Sequence, residues 1–256
     1  MPSHRNRSHT TQGIILMRKP WKESSFILDV LTVDFGRITV LAQGVRRQRK
    51  AMEGMFESLN EAEWVLHKSP ESEWFILKDI TMVTPHLYDV NLPTSALMQA
   101  AAELLLKLLY DDMEAVQLYQ LLKEYLAYVV KVQRNGIAVL WRFMLRISLI
   151  FGFPLFLNRC VKCSKPPQAF GAYYPQLNGL ICTSCLHPAH RDVVIPLTPT
   201  ASDLFIKLPH IGSMLDDITI SIPDGRLITD VLLIHLSQHF NRAITLKSLE
   251  LYFLAP

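Results

Sequence analysis

Strict alternation of apolar and polar positions dominates the first third of the chain, and helical spacing dominates the rest. Residues 13–19 ("GIILMRK"), 25–34 ("SFILDVLTVD") and 37–45 ("RITVLAQGV") read as strands. In the second, Phe26, Leu28 and Val30 alternate with Ile27, Asp29 and Leu31. In the third, Ile38, Val40 and Ala42 alternate with Thr39, Leu41 and Gln43. Period two with β-branched enrichment is the strand signature, and "PWKES" and "FG" supply the turns. A short segment with Met52, Met55 and Phe56 at helix-compatible spacing follows, then strands at 62–68 and 73–83. This order predicts a small Greek-key barrel of the OB type over residues 1–83, although an SH3-like barrel would present similarly.

Beyond Pro85 the period changes. Residues 94–110, 114–133 and 136–151 have helical length and composition, with Thr94 or Ser95 available as an N-cap after Pro93. Asp111-Asp112 and Asn135-Gly136 punctuate the joins. The third helix is apolar on nearly every side, as expected of the centre of a bundle. Helical pattern returns at 200–208, opened by Thr198 as N-cap with Pro199 in first position, and again at 226–240 and 245–254. The expected fold is α+β and multidomain: the barrel, then a helical domain over 84–256 that carries a four-cysteine insert at about 156–190.

That insert holds the strongest local signal. Cys160-x2-Cys163 is followed, eighteen residues on, by Cys182-x2-Cys185. Two such pairs complete a tetrahedral sulfur shell, which predicts one structural zinc ion in a ribbon or knuckle. Asn178-Gly179 is the expected tight turn of the intervening hairpin, and His187 or His190 offers a substitute ligand. Disulfides are disfavoured in a chain without an export signal.

Half the residues are apolar and 19% are charged, which excludes wholesale disorder. The net charge of +3 is unevenly placed: residues 1–50 hold ten Lys/Arg against three acids, a surplus of seven. Arg46, Arg47, Arg49 and Lys50 occupy four of five consecutive positions. Such asymmetry points to a polyanion partner at one end, against the plainer reading that it serves solubility. The polar first twelve residues lack a signal-peptide core, and the apolar run at 136–153 is broken by Arg142 and Arg146, so a cytoplasmic protein with no membrane partner is expected.

Catalytic signatures are missing. There is no Gly-x4-Gly-Lys-[Ser/Thr] loop, no Gly-x-Ser-x-Gly elbow and no His-x-Glu to serve a catalytic zinc. His235 and His239, four apart without an intervening Glu, read as a surface pair or a satisfied core pair. Arg142 and Arg146 share one face of an apolar helix. Either acids such as Glu103, Glu114 or Glu124 pair with them, or they form a pocket for an acidic ligand with an apolar tail.

Barrel, helical body and four-cysteine insert, in that order, resemble the bacterial recombination mediator family RecO. "PWKESSFILDVLTVDFGRITVLAQGVRRQRK" (20–50) is similar to the family's N-terminal signature, and "LKSLELYF" (246–253) to its C-terminal one. The resemblance implies a protein, not an enzyme, that binds single- and double-stranded DNA, anneals complementary strands coated by the single-strand binding protein SSB, and acts with RecR to load RecA without ATP hydrolysis. In the family the basic barrel contributes to DNA binding, and on this barrel phosphate binding is expected of Arg18, Lys19, Lys22, Arg37, Arg46, Arg47, Arg49 and Lys50. Trp21 is a candidate for base stacking, and Phe35 for stacking or core packing. The acidic, Pro-Phe-ended SSB tail falls to Arg142, with Arg146 one turn on. Two departures stand out: Ala51 where the family often has Ser, and Glu71 and Glu73 in the loop between the last two barrel strands. DNA contact is therefore expected mainly on the first three strands. The competing classes are a zinc-dependent nucleic-acid enzyme and a sequence-specific transcription factor.

Overall fold

The computed structural model describes residues 8–47, 54–68, 72–108, 112–187 and 194–254. The chain divides into two compact units, Met1–Ala127 and Tyr128–Pro256.

In the first unit five strands close a barrel in the order β1-β2-β3-β5-β4. They are β1 (Ser8–Trp21), β2 (Ser25–Thr32), β3 (Arg37–Ala42), β4 (Glu61–Lys68) and β5 (Phe75–Thr84). Neighbours are antiparallel except β3 and β5, whose parallel pairing of Val40 with Phe75 and Leu41 with Ile76 closes the barrel. This is an OB-like arrangement.

Strand β1 begins five residues earlier than alternation predicts. Its polar start pairs along β4, from Ser8 opposite His67 to Gln12 opposite Glu63, so backbone bonds extend it without apolar side chains. From Gly13 onward β1 also pairs with β2, with a bulge between Ile15 and Met17. Of the alternating positions, Phe26, Leu28, Val30, Ile38, Val40 and Ala42 are buried, and so is Leu31. With them lie Phe56 and Trp64, while Phe35 and Met55 pack at the margin; Met52 lies outside the described residues. Burial of each large side chain contributes about 1.5–3 kcal/mol. The indole of Trp64 keeps a partner inside the core, donating to Gly13 O at 3.1 Å.

Among the described residues, the long helices of this unit are α1 (Leu92–Lys107) and nearly all of α2 (Asp112–Val129). The N-cap of α1 is Asn91, not Thr94 or Ser95: its side chain accepts from Thr94 N, which places Pro93 within the first turn, where no amide is needed. Both α1 and α2 stop short of their predicted ends, α1 where Leu108 turns extended. Tyr125 of α2 donates to Leu97 O of α1 at 2.9 Å. Glu61 of β4 is buried and accepts from Tyr119 Oη at 2.7 Å and Lys123 Nζ at 2.6 Å, tying α2 to the barrel.

The second unit is built around α3 (Gly136–Ile150), α4 (Pro199–Lys207), α5 (Ile222–His239) and the short α6 (Ser248–Leu254). Trp141 of α3 donates to Thr229 Oγ1 of α5 at 2.9 Å inside the core. Thr198 caps α4 as expected, accepting from Ala201 N. Asn135 takes a left-handed backbone (φ 56°) before α3, and its side chain donates to Leu215 O and Ile218 O instead of capping the helix. Between α3 and α4 lies a three-stranded sheet of β6 (Phe170–Tyr174), β7 (Gly179–Cys182) and β8 (Ile195–Pro196), with β6 in the middle. Among the described residues, no helix is long and apolar enough to cross a membrane.

Candidate nucleic-acid interface and metal centre

The turn between β1 and β2 and the exit of β3 meet at one end of the barrel. Arg46 N donates to Ser24 O at 2.9 Å, and its guanidinium reaches Lys22 O at 3.4 Å. Arg46 and Arg47 sit in a short 3-10 turn (Val45–Arg47) anchored by the buried Val45. Lys19, Lys22, Arg46 and Arg47 are exposed, so their charges face solvent. Arg18 lies on the same hairpin, its guanidinium 4.8 Å above the Phe26 ring and 2.9 Å from Glu57. Arg47 is 3.3 Å from Glu23. Next to this cluster the half-exposed Trp21 meets Trp74 edge to face, with centroids 5.8 Å apart.

Arg37 stands apart. It opens β3, five residues from Ala42 at the other end of that strand, and is held by Asp29 at 3.6 Å and Leu106 O at 3.0 Å. Arg49 and Lys50 lie outside the described residues, as do Ala51 and Glu71. Phe35 is committed largely to packing, its ring 5.5 Å from Phe75 and 5.2 Å from His9. Sequence reasoning does not reach Trp74. Its only signal is the exposed end of the β4–β5 loop, since its partner Trp21 is distant in sequence.

The four cysteines converge. All four Sγ atoms lie within 4.8 Å of one another, and Cys163 and Cys182 are 3.9 Å apart. Sulfurs around a tetrahedral ion at the usual Zn–S length stand about 3.8 Å apart, so the set fits a metal of that kind. Cys160 and Cys182 are buried, while Cys185 is half-buried and Cys163 exposed. Backbone amides of Cys182 and Lys162 point at Cys160 Sγ at 3.3 and 3.4 Å. Burial pushes the Cys160 thiol up, but these amides outweigh it and bring it down to about 6. Its neighbours go the other way: burial raises Cys182, and contact with Cys182 pushes Cys185 up to about 12. One thiolate is stabilised by the backbone, while Cys182 and Cys185 resist ionisation without a cation beside them.

The hairpin joining the two pairs differs in detail from expectation. Asn178, not Gly179, takes the left-handed backbone (φ 49°), after a 3-10 turn over Pro175–Leu177. Gly179 is required for another reason. A Cβ there would fall 2.8 Å from Val161 Cβ, and Val161 N donates to Leu180 O across the same contact. Glycine lets the β7 strand approach the first Cys-x2-Cys turn. His187 is not among the four clustered ligands, and His190 lies outside the described residues.

His235 is the satisfied core histidine of the pair. It is buried, with Nε2 3.0 Å from Phe153 O and Nδ1 3.3 Å from Tyr173 Oη. His239 stacks on Phe153 with centroids 3.5 Å apart. Burial holds both imidazoles below the ordinary histidine value.

Arg142 and Arg146 are exposed. Both fall on the solvent-facing strip of α3, with Leu149 of the same strip 63% exposed. Within the first unit, Glu103 pairs with Lys107 at 2.8 Å. Arg142 lies against the 3-10 segment Leu208–Ser213, where a Cβ on Gly212 would come within 2.9 Å of its Nη1. Tyr128 Oη donates to Gly212 O at 3.4 Å.

Residues 7–85 match the family "Recombination protein O N terminal", and residues 90–250 match "Recombination protein O C terminal". The chain belongs to the RecO family. It is 27% identical over 208 residues to the DNA repair protein RecO of Caldicellulosiruptor bescii, covering 77% of this chain and 79% of that protein. The RecO of Chlorobium luteolum is 25% identical over 216 residues, 77% of this chain and 78% of its own. That of Pasteurella multocida is 32% identical over a shorter 111 residues, 43% and 44% of the two chains. The basic barrel end falls within the N-terminal RecO match, and the cysteine cluster and Arg142 fall within the C-terminal one.

Proposed function

We propose that the protein is a DNA repair mediator that binds single- and double-stranded DNA and anneals complementary strands coated by SSB. In this reading it acts with RecR to load RecA. The observation that carries the proposal is the gathering of Lys19, Lys22, Arg46 and Arg47 at one open end of an OB-like barrel, beside the exposed Trp21. Phosphates of two strands held on one cationic surface repel one another less, which lowers the barrier to pairing. Trp21 offers a face on which an unpaired base can stack. Arg49 and Lys50 extend the same run in sequence, and Arg18 supports it from β1. Arg37, held by Asp29 and Leu106 O, makes a secondary contact at most.

The cysteine centre is read as one structural zinc ion on Cys160, Cys163, Cys182 and Cys185. Four thiolates fill a tetrahedral shell and leave no position for a reacting water, so a mediator is favoured over a zinc-dependent enzyme. Arg142 and Arg146, exposed beside Leu149, suit an acidic peptide ending in an apolar residue and a carboxylate, the chemistry of the SSB tail. A cytoplasmic location follows from these partners.

The deciding experiment is annealing of complementary strands precoated with SSB, without ATP. The protein should accelerate duplex formation, and replacing Lys22, Arg46 and Arg47 by Gln should abolish the effect. The same variant should flatten the salt dependence of single-strand binding by about 2 in log–log slope, about 0.7 for each phosphate that is no longer neutralised. Annealing at the uncatalysed rate with the unmodified protein would overturn the reading. A strong preference among duplex sequences would favour a transcription factor instead.

A further inference from the structure

The barrel carries a second concavity, of different character from the basic end and reached from it through Trp74. A groove of about 430 Å³ runs between the β2–β3 turn, the start of β3 and the residues leading into β5. That volume lies within the range of small-ligand sites. Its apolar lining includes Phe35 and Trp74, and its charged lining includes Arg37 and Lys68 together with Asp34 and Glu73. A groove meant only for phosphates would exclude the two carboxylates, because each repels the backbone it is meant to hold.

The combination matches a nucleobase better. Aromatic side chains present flat faces to any base. A carboxylate accepts hydrogen bonds and donates none, so it selects bases by the donors on their edge. Guanine offers two adjacent donors, N1–H and N2–H, to one carboxylate. Cytosine and adenine each offer one amino group, and thymine offers a single N–H flanked by two carbonyls. Glu73 is exposed, and Asp34, which also lines the groove, accepts from Thr11 Oγ1 at 2.7 Å through only one of its two oxygens, Oδ2. Trp74, which lines the groove, is also the residue that meets Trp21 of the basic end. Trp74 thus links the groove to the end where Lys22, Arg46 and Arg47 would hold phosphates.

We infer that this groove takes one unstacked base of single-stranded DNA and prefers guanine, with Glu73 and Asp34 as acceptors and Arg37 and Lys68 against the flanking phosphates. This deepens the reading of the barrel as a DNA-binding module and rests on it. The preference is a property of single strands, since a paired base has its donor edge occupied.

The test is fluorescence anisotropy with the full chain and labelled strands of about twelve nucleotides, the site size of an OB fold. One strand is all thymine and the other alternates guanine with thymine, in lithium buffer to prevent quadruplexes. The alternating strand should bind about fivefold more tightly, the low end of discrimination by a good base contact. Glu73→Gln, and Glu73→Gln combined with Asp34→Asn, should bring the two affinities together while leaving thymine-strand binding equal or stronger. Equal affinities in the unmodified protein overturn the inference, as does a preference that survives both carboxamide variants. Failure to bind either strand overturns the DNA reading beneath it. Circular dichroism identifies any variant that has lost its fold, and Glu73→Gln alone, at an exposed position, keeps the test open in that event.

Discussion

Arg47 Nη2 sits 3.3 Å from Glu23 Oε2, with both side chains mostly in solvent. An ion pair this exposed contributes about 0–1 kcal/mol and is screened by salt. It therefore acts less as a brace than as a local competitor with phosphate for the guanidinium. Glu23→Gln should raise DNA affinity about two- to threefold at low ionic strength, and the gain should vanish at high salt. Titrations of one labelled strand at two salt concentrations check this, and unchanged affinity at low salt would remove Arg47 from the contact set.

A second carboxylate has the opposite character. Glu61 is 1% exposed and holds Lys123 Nζ at 2.6 Å and Tyr119 Oη at 2.7 Å, while His86 Nε2, at 3.9 Å, is buried without a hydrogen-bond partner. Removing one partner of a buried charge is costly, but Lys123 is 42% exposed and water can replace part of its effect. Lys123→Met should cost about 1–3 kcal/mol, and Tyr119→Phe about 1–2 kcal/mol. Urea unfolding measures both. Full stability in Lys123→Met would show that the fold does not depend on Lys123 to hold Glu61.

Much of this is legible in the residues themselves. Alternation at Phe26–Val30 and Ile38–Ala42 reveals β2 and β3 because one face of each is buried. The Cys-x2-Cys spacing reveals the cluster because two such turns bring four sulfurs together. The start of β1 is hidden, since Ser8–Gln12 is held by backbone bonds to β4 that leave no apolar signature. Asn-Gly is the commonest turn pair and so points to Gly179 as a turn residue, whereas its role depends on Val161, a contact no local pattern reports. The groove draws on the β2–β3 turn and residues some forty positions later, and only the closed barrel brings them together.

Gly179 gives a prediction for the metal centre. A methyl group there meets Val161 at 2.8 Å, and the strand behind it carries Cys182. Gly179→Ala should cost about 1–3 kcal/mol through overpacking and should lower metal content together with stability. Elemental analysis of the unmodified protein, purified without added metal, should give about one zinc per chain, and Cys160→Ser should lose it. Less than about a tenth of an equivalent in the unmodified protein, with free thiols confirmed, would count against zinc as the native ion.

Acid should destabilise the fold through buried imidazoles. Burial lowers His235 most, the bond to Phe153 O opposes this, and His239 adds to the lowering. A histidine whose folded value lies below the unfolded 6.5 binds fewer protons when folded. Its contribution is thus intact above about pH 6.5 and is lost as pH falls toward the folded value. His86 shifts the same way for the same leading cause. Stability should fall between about pH 7 and 5, and the slope should be shallower in His235→Gln at matched zinc. Unfolding midpoints across that range decide it, because slopes are compared and any uniform cost of the substitution cancels. An unchanged slope would place the acid sensitivity elsewhere.

Arg142 provides the sharpest test of partner binding. It is exposed on α3, and its guanidinium lies against Gly212, so removing it leaves no buried partner stranded. Arg142→Ala should therefore unfold at the same temperature as the unmodified protein. If Arg142 forks onto a terminal carboxylate, affinity for an acidic peptide ending in Pro-Phe should fall about tenfold or more, about 1.4 kcal/mol. Gly212→Ala provides a graded check. Its added methyl would fall 2.9 Å from Arg142 Nη1 and must push the guanidinium aside, so peptide binding should weaken by less than in Arg142→Ala. DNA binding should be unaffected in both, since their changes lie outside the basic barrel end. Calorimetric titration of the peptide reads all three proteins, and equal affinity in Arg142→Ala would dismiss this face of α3 as the peptide site.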